Sequence, residues 1–381
     1  MICYRVCGTL VAKTPLHIGS GKRAGVIKHT TPYIPGSFLR GAFGISLLKV
    51  ACKLDEPLVN HEKCKYLDDC LYTYLYGDDF SKSANILFRY AYPLHIKCGG
   101  VYLPAKRTVF RCENRQCGMT YDTFKPPLEC VKCGKKVKPY TGYVCSGCGE
   151  MEPHPTPVTR IISTAIDRGR FSAATVGGRE EKGTLRTLEV IDRGAEFRLE
   201  VILFEECREY LEKIKSLLAR GLTDEGVGGE KSSGLGKVTV ENLTITEVTS
   251  EDIRRRAREI DPADFTVWLV SPMVLREGES TIDASALLEN ARRAYTRCFK
   301  DGKPSLPEVT IAEQQLVYGT FSGWSLRDER RRRVEPMLAA GSTLRFQSDS
   351  RDEKLALGLA ALEVNAVGAY KPHGCGQIKI G

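Results

Sequence analysis

A glycine-punctuated segment in the middle of this 381-residue chain returns at its C-terminal end. Val227-Gly228-Gly229-Glu230-Lys231-Ser232-Ser233-Gly234-Leu235-Gly236-Lys237-Val238 aligns without gaps on Val367-Gly368-Ala369-Tyr370-Lys371-Pro372-His373-Gly374-Cys375-Gly376-Gln377-Ile378. Both copies keep a G-x5-G-x-G frame, a lysine three residues after its first glycine, and an apolar residue that opens the next strand. Glycines at such spacing serve backbone shape, so one structural unit is present twice.

The repeat extends upstream. Gly194-Ala195-Glu196-Phe197-Arg198-Leu199 matches Gly341-Ser342-Thr343-Leu344-Arg345-Phe346, and a helically spaced segment follows each, Glu206 to Arg220 and Asp352 to Glu363. Each helix then runs into its glycine loop, so the unit reads strand, helix, loop, strand. A third echo stands at the front of each half, Thr14-Pro15-Leu16 and Ser271-Pro272-Met273. Three matched elements in one order predict an α+β protein built from two related units. The expected boundaries are 1–248 for the first, 249–264 for a linker and 265–381 for the second.

A net charge of +9 fits a polyanionic partner without requiring one. Arg254-Arg255-Arg256-Ala257-Arg258 falls in the linker and reads as a solvated helix face, whereas Arg327-Asp328-Glu329-Arg330-Arg331-Arg332-Arg333, beside Trp324, reads better as a phosphate contact. No long uninterrupted apolar run predicts a membrane span. Met1-Ile2-Cys3-Tyr4-Arg5-Val6 opens as an alternating strand rather than a secretory leader, so a cytoplasmic location is expected.

Fifteen cysteines in such a chain point to metal rather than to disulfides. From Cys112 to Cys148 the spacing is C-x4-C-x12-C-x2-C-x11-C-x2-C, and Cys130-Val131-Lys132-Cys133-Gly134 and Cys145-Ser146-Gly147-Cys148-Gly149 are C-x2-C-G knuckles. Two such knuckles supply four thiolates to one structural zinc. That reading places Cys130, Cys133, Cys145 and Cys148 on a single ion within a zinc-ribbon insertion at 108–157, with Cys64, Cys70, Cys112 and Cys117 available for a second site. The alternative joins Cys112 and Cys117 to Cys130 and Cys133 and leaves Cys145 and Cys148 to find other partners. Cys98 and His154 are reserve ligands. An iron–sulfur cluster fits the spacing less well.

The doubled loop, Pro15-Leu16-His17-Ile18-Gly19-Ser20-Gly21, and Pro32-Tyr33-Ile34-Pro35-Gly36-Ser37-Phe38-Leu39-Arg40-Gly41 together resemble the RAMP superfamily of CRISPR–Cas proteins. Thr159-Arg160, Thr164-Ala165-Ile166-Asp167-Arg168 and the cysteine insertion add to the likeness. With them the chain is most similar to the two-domain RAMP subunit of type III-D effectors, in the Cas-five-like group that caps the 5′ tag of crRNA. The resemblance implies two ferredoxin-like βαββαβ domains and a non-catalytic RNA-binding role in antiviral defence. Its partners would be crRNA, a large Cas-ten-like subunit and RAMP backbone subunits, with no membrane contact and no DNA binding by this chain alone.

On that reading the RNA contacts come from Lys22, Arg23, Lys28, His29, Arg40, Arg160, Arg168 and Arg170. The first loop would add Gly228, Gly229, Lys231, Ser232, Gly234 and Gly236, and the second Gly368, Lys371, His373, Gly374 and Gly376, with backbone amides and lysines meeting phosphates. Tyr33 or Trp324 would stack on bases. The loops are expected to converge on one groove. RAMP subunits that cut target RNA carry an Asp in the loop that here runs from Gly19 to Gly36, and this loop has no acid at all. The runner-up function is a metal-independent crRNA-processing endoribonuclease using His29 with Tyr33. A third reading is a zinc-ribbon protein-interaction scaffold with little RNA contact.

Overall fold

The computed structural model describes residues 2–24, 27–57, 64–66, 69–77, 83–164, 166–167, 172–173, 185–275, 283–300, 302–325 and 329–381, without the side chains of 22–24, 166–167, 172–173 and 185. Its framework is two four-stranded antiparallel sheets. The first half contributes β1 (Cys3–Ala12), α1 (Gly36–Ala51), β2 (Ile86–Phe88), β3 (Glu196–Phe204), α2 (Leu211–Glu225) and β4 (Val238–Val248). Its sheet order, β4-β1-β3-β2, is that of a ferredoxin-like unit. After the short helix α3 (Ser250–Ala257), the second half supplies β5 (Asp264–Leu269), α4 (Ala284–Phe299), β6 (Thr310–Gln315), β7 (Thr343–Gln347), α5 (Glu353–Asn365) and β8 (Ile378–Ile380). The order β6-β7-β5-β8 repeats the same topology. The fold is thus α+β with two related units, as the repeat predicts, and each is ferredoxin-like, as the resemblance implies.

The linker is ordered by its own sequence. Thr249 caps α3 by accepting from the Asp252 N–H, while the Asp252 carboxylate accepts from the Thr249 N–H. The arginine run on α3 is only partly solvated. Arg256 reaches across to the Glu363 carboxylate, with Nε and Nη2 each donating at 2.9 Å, whereas Arg254, Arg255 and Arg258 pair locally with Glu251 and Asp252.

The burial pattern of β3 shows how the halves meet. Leu199, Val201 and Leu203 enter a core with α1 and α2. Ile202 and Phe204 point the other way and join the core of the second half, together with Cys3 and Leu87. The strand end is therefore buried on both faces. This covers part of the sheet face that an open ferredoxin-like unit would offer to RNA. Arg89 fastens the same seam: its guanidinium donates to the carbonyls of Glu363 and Val364 at the C-terminus of α5.

Between β2 and β3 the chain makes two three-stranded modules and two strands of a small mixed sheet, whose other two strands come from between β1 and α1. One module pairs Val109–Cys112 with Thr120–Asp122 and Val137–Pro139, and the other pairs Tyr143–Cys145 with Tyr102–Pro104 and Met151–Glu152. The small sheet runs Val158–Thr164, Leu185–Ile191, Ile27–Thr30, Gly19–Ala24. No described helix is long and apolar enough to cross a membrane.

Candidate nucleic-acid interface and metal centres

The two glycine loops share one backbone. Glu230 and Tyr370 both take left-handed conformations, with φ of 58° and 54°. A 3₁₀ turn follows in each, Lys231–Ser233 and Lys371–His373, ending at a left-handed glycine, Gly234 or Gly374. The front echo explains itself here. Pro15 O accepts from the Gly236 N–H at 3.0 Å, and Pro272 O from the Gly376 N–H at 2.8 Å. The Thr14 hydroxyl accepts from the Lys237 N–H at 3.0 Å, and the Ser271 hydroxyl from the Gln377 N–H at 2.9 Å. A hydroxyl residue followed by proline is the clamp that holds each loop.

The surroundings differ. Residues 231–234 of the first loop are all exposed. Gly234 has open space where a side chain would begin, while Gly228 and Gly236 are packed against the carbonyls of His17 and Val227. Glu230, not noticed in the sequence, pairs with Lys28 Nζ at 3.0 Å, and that ammonium holds its carboxyl below the usual range. Lys231 Nζ donates to Gly226 O at 3.0 Å and so caps α2. Lys28 and Lys231 therefore each spend one contact on the protein, and both stand at the first loop.

The second loop is instead a seam. Gly368, Gly374 and Gly376 are buried. A Cβ on Gly374 would lie 2.6 Å from Phe88 O, and one on Gly36 would lie 2.7 Å from His373 O. Lys371 Nζ donates to Asn290 Oδ1 at 3.2 Å. Arg332 donates to His373 Nε2 at 3.2 Å, which assigns the ring proton to Nδ1. Burial, then the charges of Arg40 and Arg332, push His373 well below its ordinary pKa. The expectation that both loops converge on one RNA groove is corrected: the second loop faces the first half of the protein, and the segment from His17 to Gly36 meets the first loop through His17 and Lys28 and the second through Gly36.

Glu189 is the other residue that sequence reasoning missed. It reaches from Leu185–Ile191 into the acid-free loop. His29 Nδ1 lies 2.8 Å from Glu189 Oε2, and Arg160 Nη2 donates to Oε1 at 3.1 Å. Burial raises the Glu189 carboxyl, but His29 and Arg160 more than offset that and hold it below its usual value. The parallel pairing of Leu188 with Lys28 places Lys28, His29, Arg160 and Glu189 on one small sheet. Only register could reveal this, since Glu189 sits in an ordinary strand sequence.

Tyr33 packs on Tyr90 and Tyr92, with ring centroids 5.7 and 5.4 Å away, so it belongs to an aromatic cluster rather than to a base-stacking surface. Arg40 lies over the Tyr76 ring at 3.8 Å and is packed, not presented. Trp324 is exposed and stands cross-strand from Arg331. Arg168 and Arg170 lie outside the described residues, as do the side chains of Lys22 and Arg23.

The cysteines form two groups. Cys112, Cys117, Cys130 and Cys133 bring their sulfurs together, with Cys112–Cys133 at 3.4 Å and Cys117–Cys130 at 3.7 Å. Tetrahedral zinc with thiolates at about 2.3 Å needs sulfurs about 3.8 Å apart. The Tyr121 hydroxyl donates to Cys130 Sγ, and this contact pulls that thiol down to about 6. The second group is His95, Cys98, Cys145 and Cys148. His95 Nδ1 stands 3.2 Å from Cys98 Sγ and 3.3 Å from Cys148 Sγ, while its Nε2 is 3.4 Å from Glu150 Oε2. A carboxylate behind the far ring nitrogen is the usual way to orient a metal-binding histidine.

One ion shared by Cys130, Cys133, Cys145 and Cys148 is thus corrected to two four-ligand sites, one knuckle in each. The reason is topological: each knuckle belongs to a different three-stranded module. The metal-bearing region accordingly opens at His95 rather than at 108. Cys64, Cys70 and His154 belong to neither group. His95-Ile96-Lys97-Cys98-Gly99 has the knuckle spacing with histidine in the first place, a signal present in the sequence. Both groups can hold a metal such as zinc.

Among solved structures, a Cas6 product complex aligns over 100% of both chains with 10% identity and a TM-score of 0.43. A chain of a type III-B Cmr-beta complex bound to cognate target RNA aligns over 65% of this chain and 61% of its own length, with 11% identity and a TM-score of 0.34. Scores this low carry no argument. No curated protein matches the sequence. The sequence profile described as RAMP superfamily matches residues 9–239, which covers most of the first ferredoxin-like unit, the cysteine modules and the first glycine loop. The chain belongs to the RAMP superfamily.

Proposed function

We propose that this protein is a non-catalytic RNA-binding subunit of a type III CRISPR effector, holding the 5′ tag of crRNA and contacting neighbouring Cas subunits. Family membership supports a crRNA-binding role. The observation that carries the reading is the first glycine loop, whose Lys231–Gly234 segment is exposed beside Lys28. A left-handed turn with exposed backbone beside lysines suits phosphate. His29 and Arg160 extend that basic surface along the small sheet, and the paired strands that carry Trp324 and Arg331 offer a separate stacking position. Zinc in both four-ligand sites would be structural: four protein ligands leave no open position for substrate.

The test is binding of a 5′-tag RNA across a salt series. Replacing Lys28, Arg160 and Lys231 together by Ala should reduce the slope of log K against log salt by about two to three units. Unchanged affinity at low and high salt would favour the protein-interaction scaffold. Elemental analysis should find two zinc ions per chain, and Cys130→Ser with Cys133→Ser should leave one.

The second reading, a metal-independent endoribonuclease, draws on one observation: the Glu189 carboxylate orients His29, as a partner of a general base would. Incubation of repeat RNA with the purified protein in EDTA separates the two. No site-specific cleavage is expected; cleavage abolished by His29→Ala would establish the enzyme.

A further inference from the structure

The two halves line a small cavity of about 200 Å³ at their seam, partly open to solvent. Leu87 and Phe204 line it from the first half, and Arg297, Lys371, Asn290 and Asn365 are among the residues lining it from the second. Arg293 also reaches it but is paired with Glu289 at 3.1 Å. Among the described residues that line it, none is a carboxylate. Arg297 is half-buried and its guanidinium lies over the Phe204 ring, 3.1 Å from its centroid. Among the described residues Arg297 has no ion-pair partner, although burial pulls it below its ordinary pKa. A half-buried guanidinium that faces an apolar ring on one side and a cavity on the other, with only the longer-range attraction of Glu206 to offset its charge, favours an anion beside it.

We infer that this seam cavity is an anion site for a phosphoryl group, held by the Arg297 guanidinium and the Lys371 ammonium. The volume is below that of pockets for drug-sized ligands and suits a tetrahedral oxyanion with a few waters. Arginine presents paired N–H donors matched to two phosphate oxygens, and lysine adds a point charge. The site also gives the repeated lysine of the second loop a task distinct from that of Lys231, which caps a helix. Inorganic phosphate and a phosphate of bound RNA share this chemistry. The first source is independent of the RNA-binding reading above, and the second rests on it.

Thermal unfolding of the intact protein in phosphate against chloride at equal ionic strength tests the site. Saturable stabilisation by phosphate is expected, with Arg297→Met weakening it at least tenfold. Arg297→Met keeps an apolar side chain of similar length next to Phe204 and removes the charged head. Should that variant lose its native circular dichroism spectrum, Lys371→Gln takes its place. The RNA arm measures 5′-tag RNA affinity of the same variants. A tenfold loss, with phosphate protection abolished by saturating RNA, identifies an RNA phosphate as the occupant. Unchanged RNA affinity, or no RNA binding by the parent, with phosphate protection intact identifies free phosphate. If phosphate gives no saturable effect beyond chloride and the variants bind RNA like the parent, the site does not exist.

Discussion

The first and second glycine loops have the same turns, the same left-handed positions and the same hydroxyl-proline clamp, and they do opposite jobs. In the first, Lys231–Gly234 faces solvent beside Lys28; in the second, Gly374 is wedged against Phe88 and Tyr90. A repeated backbone thus guarantees a repeated shape, while what the shape touches depends on where its copy is placed. Because the first loop projects from the molecule and the second closes it, substitutions at equivalent positions should divide between binding and stability.

The largest effect should come from Gly374→Ala. The new Cβ would meet Phe88 O at 2.6 Å and the Tyr90 ring at 2.8 Å, on a backbone with φ of 86°. A loss of about 3 kcal/mol or more is expected in denaturant unfolding. The equivalent Gly234→Ala meets nothing within 4 Å and carries only its left-handed strain, so about 1–2 kcal/mol is expected. Equal losses at the two positions would break the comparison.

Ser232→Glu reverses the test. It places a carboxylate on the exposed turn of the first loop, and RNA affinity should fall about tenfold, or about 1.4 kcal/mol, with the unfolding midpoint unchanged. His373→Gln in the second loop should leave RNA affinity at the parent value.

His373 gives a smaller, pH-dependent effect. The folded protein keeps its ring neutral through burial and the nearby Arg40 and Arg332 charges. Unfolded, the ring takes up a proton with a pKa near 6.5. Below about that pH the unfolded chain binds more protons, so stability falls as pH drops from 7 toward 5. His373→Gln should flatten that part of the urea-midpoint profile. A profile identical to the parent's would show that His373 titrates normally and that the seam is more open than described. Smallest of all, Lys231→Ala alone should lower the RNA salt slope by about one unit, read from binding at several salt concentrations.

The cysteine modules extend the lesson. Knuckle spacing marks which cysteines act together locally, because two residues between ligands is a property of a short turn. Which knuckles share an ion depends on strand pairing. Cys130 and Cys145 are only fifteen positions apart, yet they stand in different sheets with different partners. His95 and Cys98 complete the second site from the far side of the Tyr102–Pro104 strand.

Local sequence by itself determined the glycine turns, the capped linker helix and the presence of metal-binding knuckles. Each of these rests on neighbours within about a dozen residues, where spacing, left-handed conformations and capping act directly. Tertiary structure alone decided that Glu189 would enter an acid-free loop to meet His29 and Arg160, and that Glu230 would answer Lys28. It also sent Tyr33 into an aromatic cluster with Tyr90 and Tyr92 and turned the second loop inward. Those outcomes depend on strand register and on how the halves pack, and a contact between residues far apart in the sequence leaves no periodic trace in the chain that makes it.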